Sequence, residues 1–335
     1  MSETIVEVGH FQVRKAGQAG EGDVFLSRKT EGGRIVSVLS DGLGSGVKAG
    51  VLATLTATMA VKFVADDIPI QRAAGIIMKT LPLCKVRKIS YATFTIADVE
   101  HSGTVRILEY DNPPYLLIRD GQTPEPPKTC IMIQRSQTSE GGPAEVALRY
   151  SEFEAVPGDR LLLWSDGVIQ SGMGSKTMPL GWGLSAAVEC ALGLVEREPS
   201  ISARELAHRV VLEALRNDAY KAKDDISCGV LYLRQPRRLL VLTGPPVDRG
   251  RDKQMAREFS GFKGRKIVAG GTTASILSRE LGRHLRLRLD GMEAGVPPSA
   301  DMEGADLVTE GIITLGKAAE VLERPDCGGR PTQGA

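Results

Sequence analysis

The chain has 335 residues, 42% hydrophobic and 4% aromatic, with 42 Lys and Arg against 41 Asp and Glu for a formal net charge of +1. That balance describes a globular chain and excludes a collagenous or disordered one. It also leaves no global attraction for nucleic acid or an anionic membrane, so neither is expected as a partner. Five cysteines stand apart with no C-x-x-C pair, which argues against a disulfide framework and a thiolate zinc site and for a reducing, cytoplasmic setting. The first ten residues lack a basic stretch followed by an apolar core, and the longest apolar run, 51–61, is broken by threonine and short of a span. Single cores rarely exceed about 250–300 residues, so two domains are expected.

Residues 4–14 alternate apolar and polar as a half-buried strand does, and 23–29 and 34–40 read as two more, joined by the hairpin signal Thr30-Glu31-Gly32-Gly33. Helical spacing follows over 47–65 and 69–81. Strand patterns recur at 91–99, 104–110, 115–119 and 160–165, with 123–128 and 135–144 read as edge loops rich in Pro, Gly, Ser and Thr. Helices are expected at 184–195 and 202–217, and a strand at 226–233. Strands and helices in alternating blocks predict an α+β layered sandwich of mainly antiparallel sheets. Gln235-Pro236 marks a boundary, after which the rhythm becomes strand, loop, helix: 239–242, a helix near 252–259, 266–269, then a helix to about residue 281. The expected organisation is a domain over 1–235, a small α/β module over 237–323 and a flexible tail over 324–335. The acids of 301–310 read as solvated surface.

Aspartates stand at strand ends in four places: Asp23 before Val24-Phe25-Leu26, Asp41-Gly42 after a strand, Asp166-Gly167 after another, and Asp224-Asp225 just before Ile226. One Asp-Gly is weak evidence, since Asp120-Gly121 and Asp290-Gly291 merely turn the chain. A hairpin centred between Glu31 and Gly32 sets Asp23 opposite Ser40 and Asp41 opposite Gly22, with both carboxylates at one end. Antiparallel pairing of the strands that end at Asp166 and begin at Asp225 gathers those acids too. Clustered carboxylates raise one another's pKa and oppose folding unless a cation compensates. Mg²⁺ or Mn²⁺ suits oxygen ligands, with the Gly42 carbonyl available, and two such ions support in-line displacement at phosphorus. Phosphate-ester hydrolysis is the implied reaction class.

These residues resemble the metal-dependent type 2C (PPM) serine/threonine protein phosphatases, in the branch named after SpoIIE. The matching stretches are Gly22-Asp23-x-Phe25, Ser40-Asp41-Gly42-Leu43-Gly44-Ser45-Gly46, Asn112-Pro113-Pro114, Gly158-Asp159 through Ser165-Asp166-Gly167, and Asp224-Asp225-Ile226-Ser227. The resemblance spans about residues 5–234. It implies an αββα sandwich, a dinuclear Mg²⁺/Mn²⁺ site and dephosphorylation of phosphoserine or phosphothreonine in a protein, in bacterial signalling. Carried over, Asp41 and the Gly42 carbonyl bind metal, Asp166 bridges into the same centre, Asp23 completes one side and Asp224 the other, with Asp225 the second choice for that ligand. Asp41 and Asp166 are the catalytic candidates. Arg14 and Lys15 occupy the stretch where relatives carry a phosphate-gripping Arg, but without its motif, so that role is unassigned. The resemblance also implies that the helices over 47–65 and 69–81 act as a switch on the metal site.

A rival reading is a non-catalytic phosphoprotein- or ligand-binding protein on the same fold, which the intact aspartates disfavour. Gly44-x-Gly46-x-x-Ala49 formally fits a dinucleotide fingerprint, but Asp41 would then abut the pyrophosphate. Four histidines share no ligand spacing, and Trp164 reads as core. In the C-terminal module, Gly270-Gly271-Thr272-Thr273 at a helix start suits an anionic ligand or a partner protein, and ordinary capping by Thr explains the same letters. No P-loop lysine follows, so ATP hydrolysis is not implied. A homodimer is allowed as an assembly.

Overall fold

The computed structural model describes residues 4–44, 46–80, 92–135, 144–288 and 297–323. Two units emerge, Met1–Gln235 and Pro236–Ala335. The first contains β1 (Ile5–Val13), β2 (Asp23–Lys29), β3 (Ile35–Gly42), α1 (Val47–Ala65), α2 (Ile70–Thr80), β4 (Ala92–Val99), β5 (Thr104–Tyr110), β6 (Leu116–Ile118), β7 (Thr129–Arg135), β8 (Ala144–Glu154), β9 (Arg160–Trp164), α3 (Asp166–Ile169), α4 (Leu184–Arg197), α5 (Ala203–Asn217) and β10 (Ile226–Arg234). Its strands form two sheets of antiparallel neighbours, ordered β1-β10-β9-β6 and β2-β3-β4-β5-β8-β7.

Strand periodicity explains the layering. Leu161 and Leu163 of β9, Leu231 and Leu233 of β10 and Leu39 of β3 fill a core between the sheets. Leu162, Trp164, Ile226, Cys228 and Val230, one residue out of phase, face α4 and α5. Val36, Val38, Phe94 and Ile96 face α1 and α2 on the other side. Every residue of β9 is buried, because both faces of its sheet are covered there, and its sequence is accordingly almost continuously apolar. The result is the expected α+β sandwich with helical layers outside two sheets. Helix α1 is long and apolar enough, by length and composition, to cross a membrane, which the sequence reading of 51–61 alone did not anticipate. Its buried stripe of Ala53, Ala57, Ala60 and Val64 packs into this helical layer.

Three expectations are corrected. The β2–β3 register differs by one residue: Asp23 pairs directly with Asp41, and Val24 with Ser40. The connection is a three-residue loop over 31–33, with Thr30 N donating to Arg34 O (2.8 Å) and Gly33 in the left-handed region at φ 83°, a conformation glycine adopts without strain. An odd loop displaces the pairing by one, and directly opposed residues share a face. The assumed loop over 135–144 has its ends in strands: Arg135 closes β7 and Ala144 opens β8, a hairpin extending the six-stranded sheet, while 136–143 lie outside the described residues. The third concerns the second unit.

That unit contains β11 (Leu239–Thr243), α6 (Asp252–Gly261), β12 (Arg265–Ala269), α7 (Gly271–Leu281), β13 (Leu285–Leu287), β14 (Ala300–Met302), β15 (Leu307–Thr309) and α8 (Ile312–Glu323). One sheet runs β11-β12-β15-β14-β13, its first three strands parallel. The supposed solvated run 301–310 therefore includes a sheet strand. Its acids do face water, but Met302, Val308 and Thr309 are buried between them. Residues 324–335, expected as a tail, lie outside the described residues.

One buried amide pins the end of the six-stranded sheet at which Asp41 sits. Asn112 Oδ1 accepts from Thr93 Oγ1, its Nδ2 donates to Thr95 Oγ1 (3.2 Å) and Leu39 O (3.4 Å), and its own carbonyl accepts from Arg149 (2.9 Å). Asn112→Ala leaves Thr93 and Leu39 without this partner and is expected to cost about 1–3 kcal/mol, read as a fall in midpoint on urea denaturation.

Candidate active site

Asp41 lies two residues beyond Leu39, and Asp23 two before Phe25, so strand alternation turns both toward the space between the sheets. Their residues are directly opposed, with β-carbons about 5 Å apart for such a pair. Asp166 comes from the other sheet, opening α3 one residue after Ser165, and Asp224-Asp225 immediately precede β10, the neighbour of β9. Ser165 N donates to Ser227 O (3.0 Å) and Ser227 N to Ser165 Oγ (3.0 Å), holding those two strand ends level. Two close approaches need glycine: a β-carbon on Gly42 would lie 2.1 Å from Ala49 O, and one on Gly167 would lie 2.0 Å from Asp225 O. These glycines let helix α1 and the β10 approach close on the aspartates.

Electrostatics reflect the crowding. Burial, before all else, pushes Asp23 up to about 7. The Ser227 and Ser165 hydroxyls act against that rise, and the charges of Asp225 and Asp166 add to it. Asp41 is raised well above the usual carboxylate range by burial first, then by the charges of Asp23, Asp166 and Asp224. Asp166 is raised by burial and by Asp224, against hydrogen bonds that include one from Gln170 Nε2 (3.0 Å). Asp23 Oδ2 and Ser227 Oγ are buried without a hydrogen-bond partner.

The two adjacent acids differ. Asp225 is buried and saturated, Oδ1 accepting from Lys15 N (2.9 Å) and Oδ2 from Gly22 N (2.8 Å), so it ties the loop before β2 to the start of β10. Asp224 is 44% exposed and meets Lys15 Nζ at 3.4 Å. Sequence reasoning missed Ser165, Ser227 and Gln170; Gln170 stands four residues after Asp166 on one helical face, a spacing that was there to be read. Among the described residues, no three His, Cys, Asp or Glu side chains are already closed around a metal-sized space. The donor set nevertheless fits a hard divalent cation, being carboxylates with one orphaned buried oxygen and no imidazole or thiolate among them.

Sheets of antiparallel neighbours packed face to face between helical layers, with aspartates gathered at one end of the inter-sheet core, define the protein phosphatase 2C class of fold. The family model for Stage II sporulation protein E (SpoIIE) matches residues 31–234, and the chain belongs to that family. Among solved structures, the phosphatase domain with a fragment of the regulatory domain of SpoIIE from Bacillus subtilis is similar at TM-score 0.53 and 18% identity, over 70% of this chain and 66% of that one. The RsbU and RsbW domains of a Mycobacterium tuberculosis protein are similar at TM-score 0.53 and 17% identity, over 77% of this chain and 68% of that one. No curated protein sequence matches the chain significantly.

Two outcomes follow. With metal chelated, Asp23 holds a proton in the folded state at pH values where the unfolded chain has released it, so its stabilisation is complete below about pH 4 and is lost as pH rises toward about 7. Thermal midpoints in chelator should fall across that window, and Asp23→Asn should flatten the fall. Asp225→Ala should cost about 1–3 kcal/mol by stranding two N–H groups, whereas Asp224→Asn should leave the denaturation midpoint within about 0.5 kcal/mol.

Proposed function

We propose that this chain is a metal-dependent protein serine/threonine phosphatase that hydrolyses phosphoserine or phosphothreonine in a protein substrate, within bacterial cytoplasmic signalling. The observation that carries the reading is the directly opposed Asp23–Asp41 pair at the end of the inter-sheet core, Asp23 buried with an orphaned carboxylate oxygen and Asp41 half-buried, with the charges of Asp166 and Asp224 acting on Asp41. Asp23, Asp41, the Gly42 carbonyl, Asp166 and Asp224 are the groups that would hold two Mg²⁺ or Mn²⁺ ions. Asp225, the alternative to Asp224, is spent on backbone N–H groups. Bound ions of this kind activate water at neutral pH and neutralise phosphoryl charge.

The chain's own groups prepare the site. Gln170 orients Asp166, the Ser165–Ser227 bonds fix the spacing of two strand ends, and the Asp225 grip holds Lys15 beside Asp224. Burial of Asp23 and partial burial of Asp41 limit the water that solvates the two carboxylates, which makes their neutralisation by a cation favourable.

Hydrolysis of p-nitrophenyl phosphate with Mn²⁺ tests the assignment. Asp41→Asn and Asp166→Asn should each lower kcat/KM by about 10² or more, and EDTA should abolish turnover. Rates equal to those of the parent, or turnover indifferent to EDTA, would overturn it.

A further inference from the structure

We infer that the second unit carries a binding site for a phosphate-bearing small molecule at the carboxyl ends of its parallel strands, held by the paired turns 270–273 and 311–314. Thr243, Ala269 and Thr309 stand level across β11, β12 and β15, so these three strands end together. Helices α6, α7 and α8 each follow one of these strands, and α7 starts directly at the end of β12, so the positive end of its dipole lies at that edge. Open α/β sheets bind ligands at this edge.

The two turns repeat one pattern. After β12 comes Gly270-x-x-Thr273, and after β15, one residue later, Gly311-x-x-Thr314. Both glycines have positive φ, 140° and 129°, unfavourable for any residue with a β-carbon. Gly270 N donates to Thr309 O (3.0 Å) and Gly271 N to Glu310 O (3.2 Å), and a β-carbon on Gly311 would lie 3.3 Å from Gly270 Cα. The turns are therefore stacked against each other. Gly270 itself stands at the cap of α7 and supplies no side-chain bond, and Thr273 Oγ1 has no hydrogen-bond partner. That removes capping by threonine as the account of these letters.

The threonines have no other structural use for their hydroxyls. Thr273 is fully buried, Thr309 is 7% exposed, and Oγ1 of Thr273, Thr309 and Thr314 is in each case buried without a hydrogen-bond partner. Thr273 Oγ1 lies 3.4 Å from the bare side of Gly270, where a β-carbon would be, and Gly244 N, in the turn after β11, lies 3.9 Å from the same point. A hydroxyl, an uncapped helix start and the turn of a third strand thus face one cradle that a side chain would fill.

Arg249 and Arg251 are exposed just ahead of α6, without an acid partner among the described residues. Of the nearby acids, Asp252 is buried and accepts from Arg279 (2.6 Å), while Asp248, which accepts from Gly250 N (2.8 Å), and Glu310 are exposed. Unpaired hydroxyl donors at a helix start suit phosphoryl oxygens.

The test uses the full chain in EDTA, so that metal at the first unit does not retain phosphate, with calorimetric titration of inorganic phosphate, ADP and adenosine. Phosphate and ADP should bind and adenosine should not. Tighter ADP identifies a nucleotide and equal affinities identify phosphate itself. Thr273→Val and Thr309→Val should each weaken binding by about 10- to 100-fold, the worth of a hydrogen bond to a charged group. Their ligand-free thermal midpoints should hold or rise, and their Mn²⁺-dependent p-nitrophenyl phosphate hydrolysis should equal the parent's. Absence of phosphate and ADP binding, equal binding in both variants, adenosine binding like ADP, or a lowered midpoint in Thr273→Val would each overturn the site.

Discussion

Carboxylate repulsion across the β2–β3 pair is the constraint around which the first unit is arranged. Cross-strand neighbours of like charge destabilise a hairpin even in water, and here Asp23 is buried between the sheets with Asp41 half-buried opposite it. Nothing about the pair stabilises itself. What holds it is everything beside it: apolar cores on three levels, the Asn112 amide that locks β3 to β4, and the Asp225 carboxylate that fastens the loop before β2 to β10. A fold that fixes an unfavourable charge arrangement this firmly presents a ready attraction for a small, hard cation, because the ion does not have to organise its own ligands.

Buried polar atoms without partners mark the same kind of place twice. Six such side-chain atoms occur among the described residues, and five fall in two groups: Asp23 Oδ2 and Ser227 Oγ at the acid cluster, and the hydroxyls of Thr273, Thr309 and Thr314 at the strand ends of the second unit. The sixth, Arg160 Nε, belongs to a guanidinium that stacks 3.8 Å from the Tyr232 ring and donates through its other nitrogens. Folded chains pair such atoms almost everywhere, so their concentration at two places sets these apart from the rest of the interior. The groups are opposite in character. One lacks positive charge, the other offers donors.

Most of the sandwich was legible because its strands are covered on both faces and read as apolar runs with aspartates at their ends. The β9 sequence, for example, is Arg-Leu-Leu-Leu-Trp leading into Ser165-Asp166. The register of β2 against β3 was not, since it turns on whether Gly33 belongs to the loop, a choice of backbone angle that the letters Gly-Gly leave open. The β7–β8 hairpin was missed although Val146, Leu148 and Tyr150 alternate with Glu145, Ala147 and Arg149; the glycines and serines before it drew attention to a loop. That Asp225 is taken up by backbone N–H groups depends on Lys15 and Gly22, more than 200 residues away, and no local pattern carries that information.

Strand β1 pairs along its whole length with β10, Ile5 with Arg234 through Val13 with Ile226, and the same long separation is closed again by Asp225 on Lys15 and Gly22. During synthesis the amino-terminal strand therefore has no edge to join until the last strand of the unit has left the ribosome. Hairpins such as β2–β3 can form early, but the aspartates they carry stay apart from Asp166 and Asp224 until that final strand arrives. A nascent or carboxyl-terminally clipped first unit thus has the acids without the cluster, which assembles in one step with the closing strand.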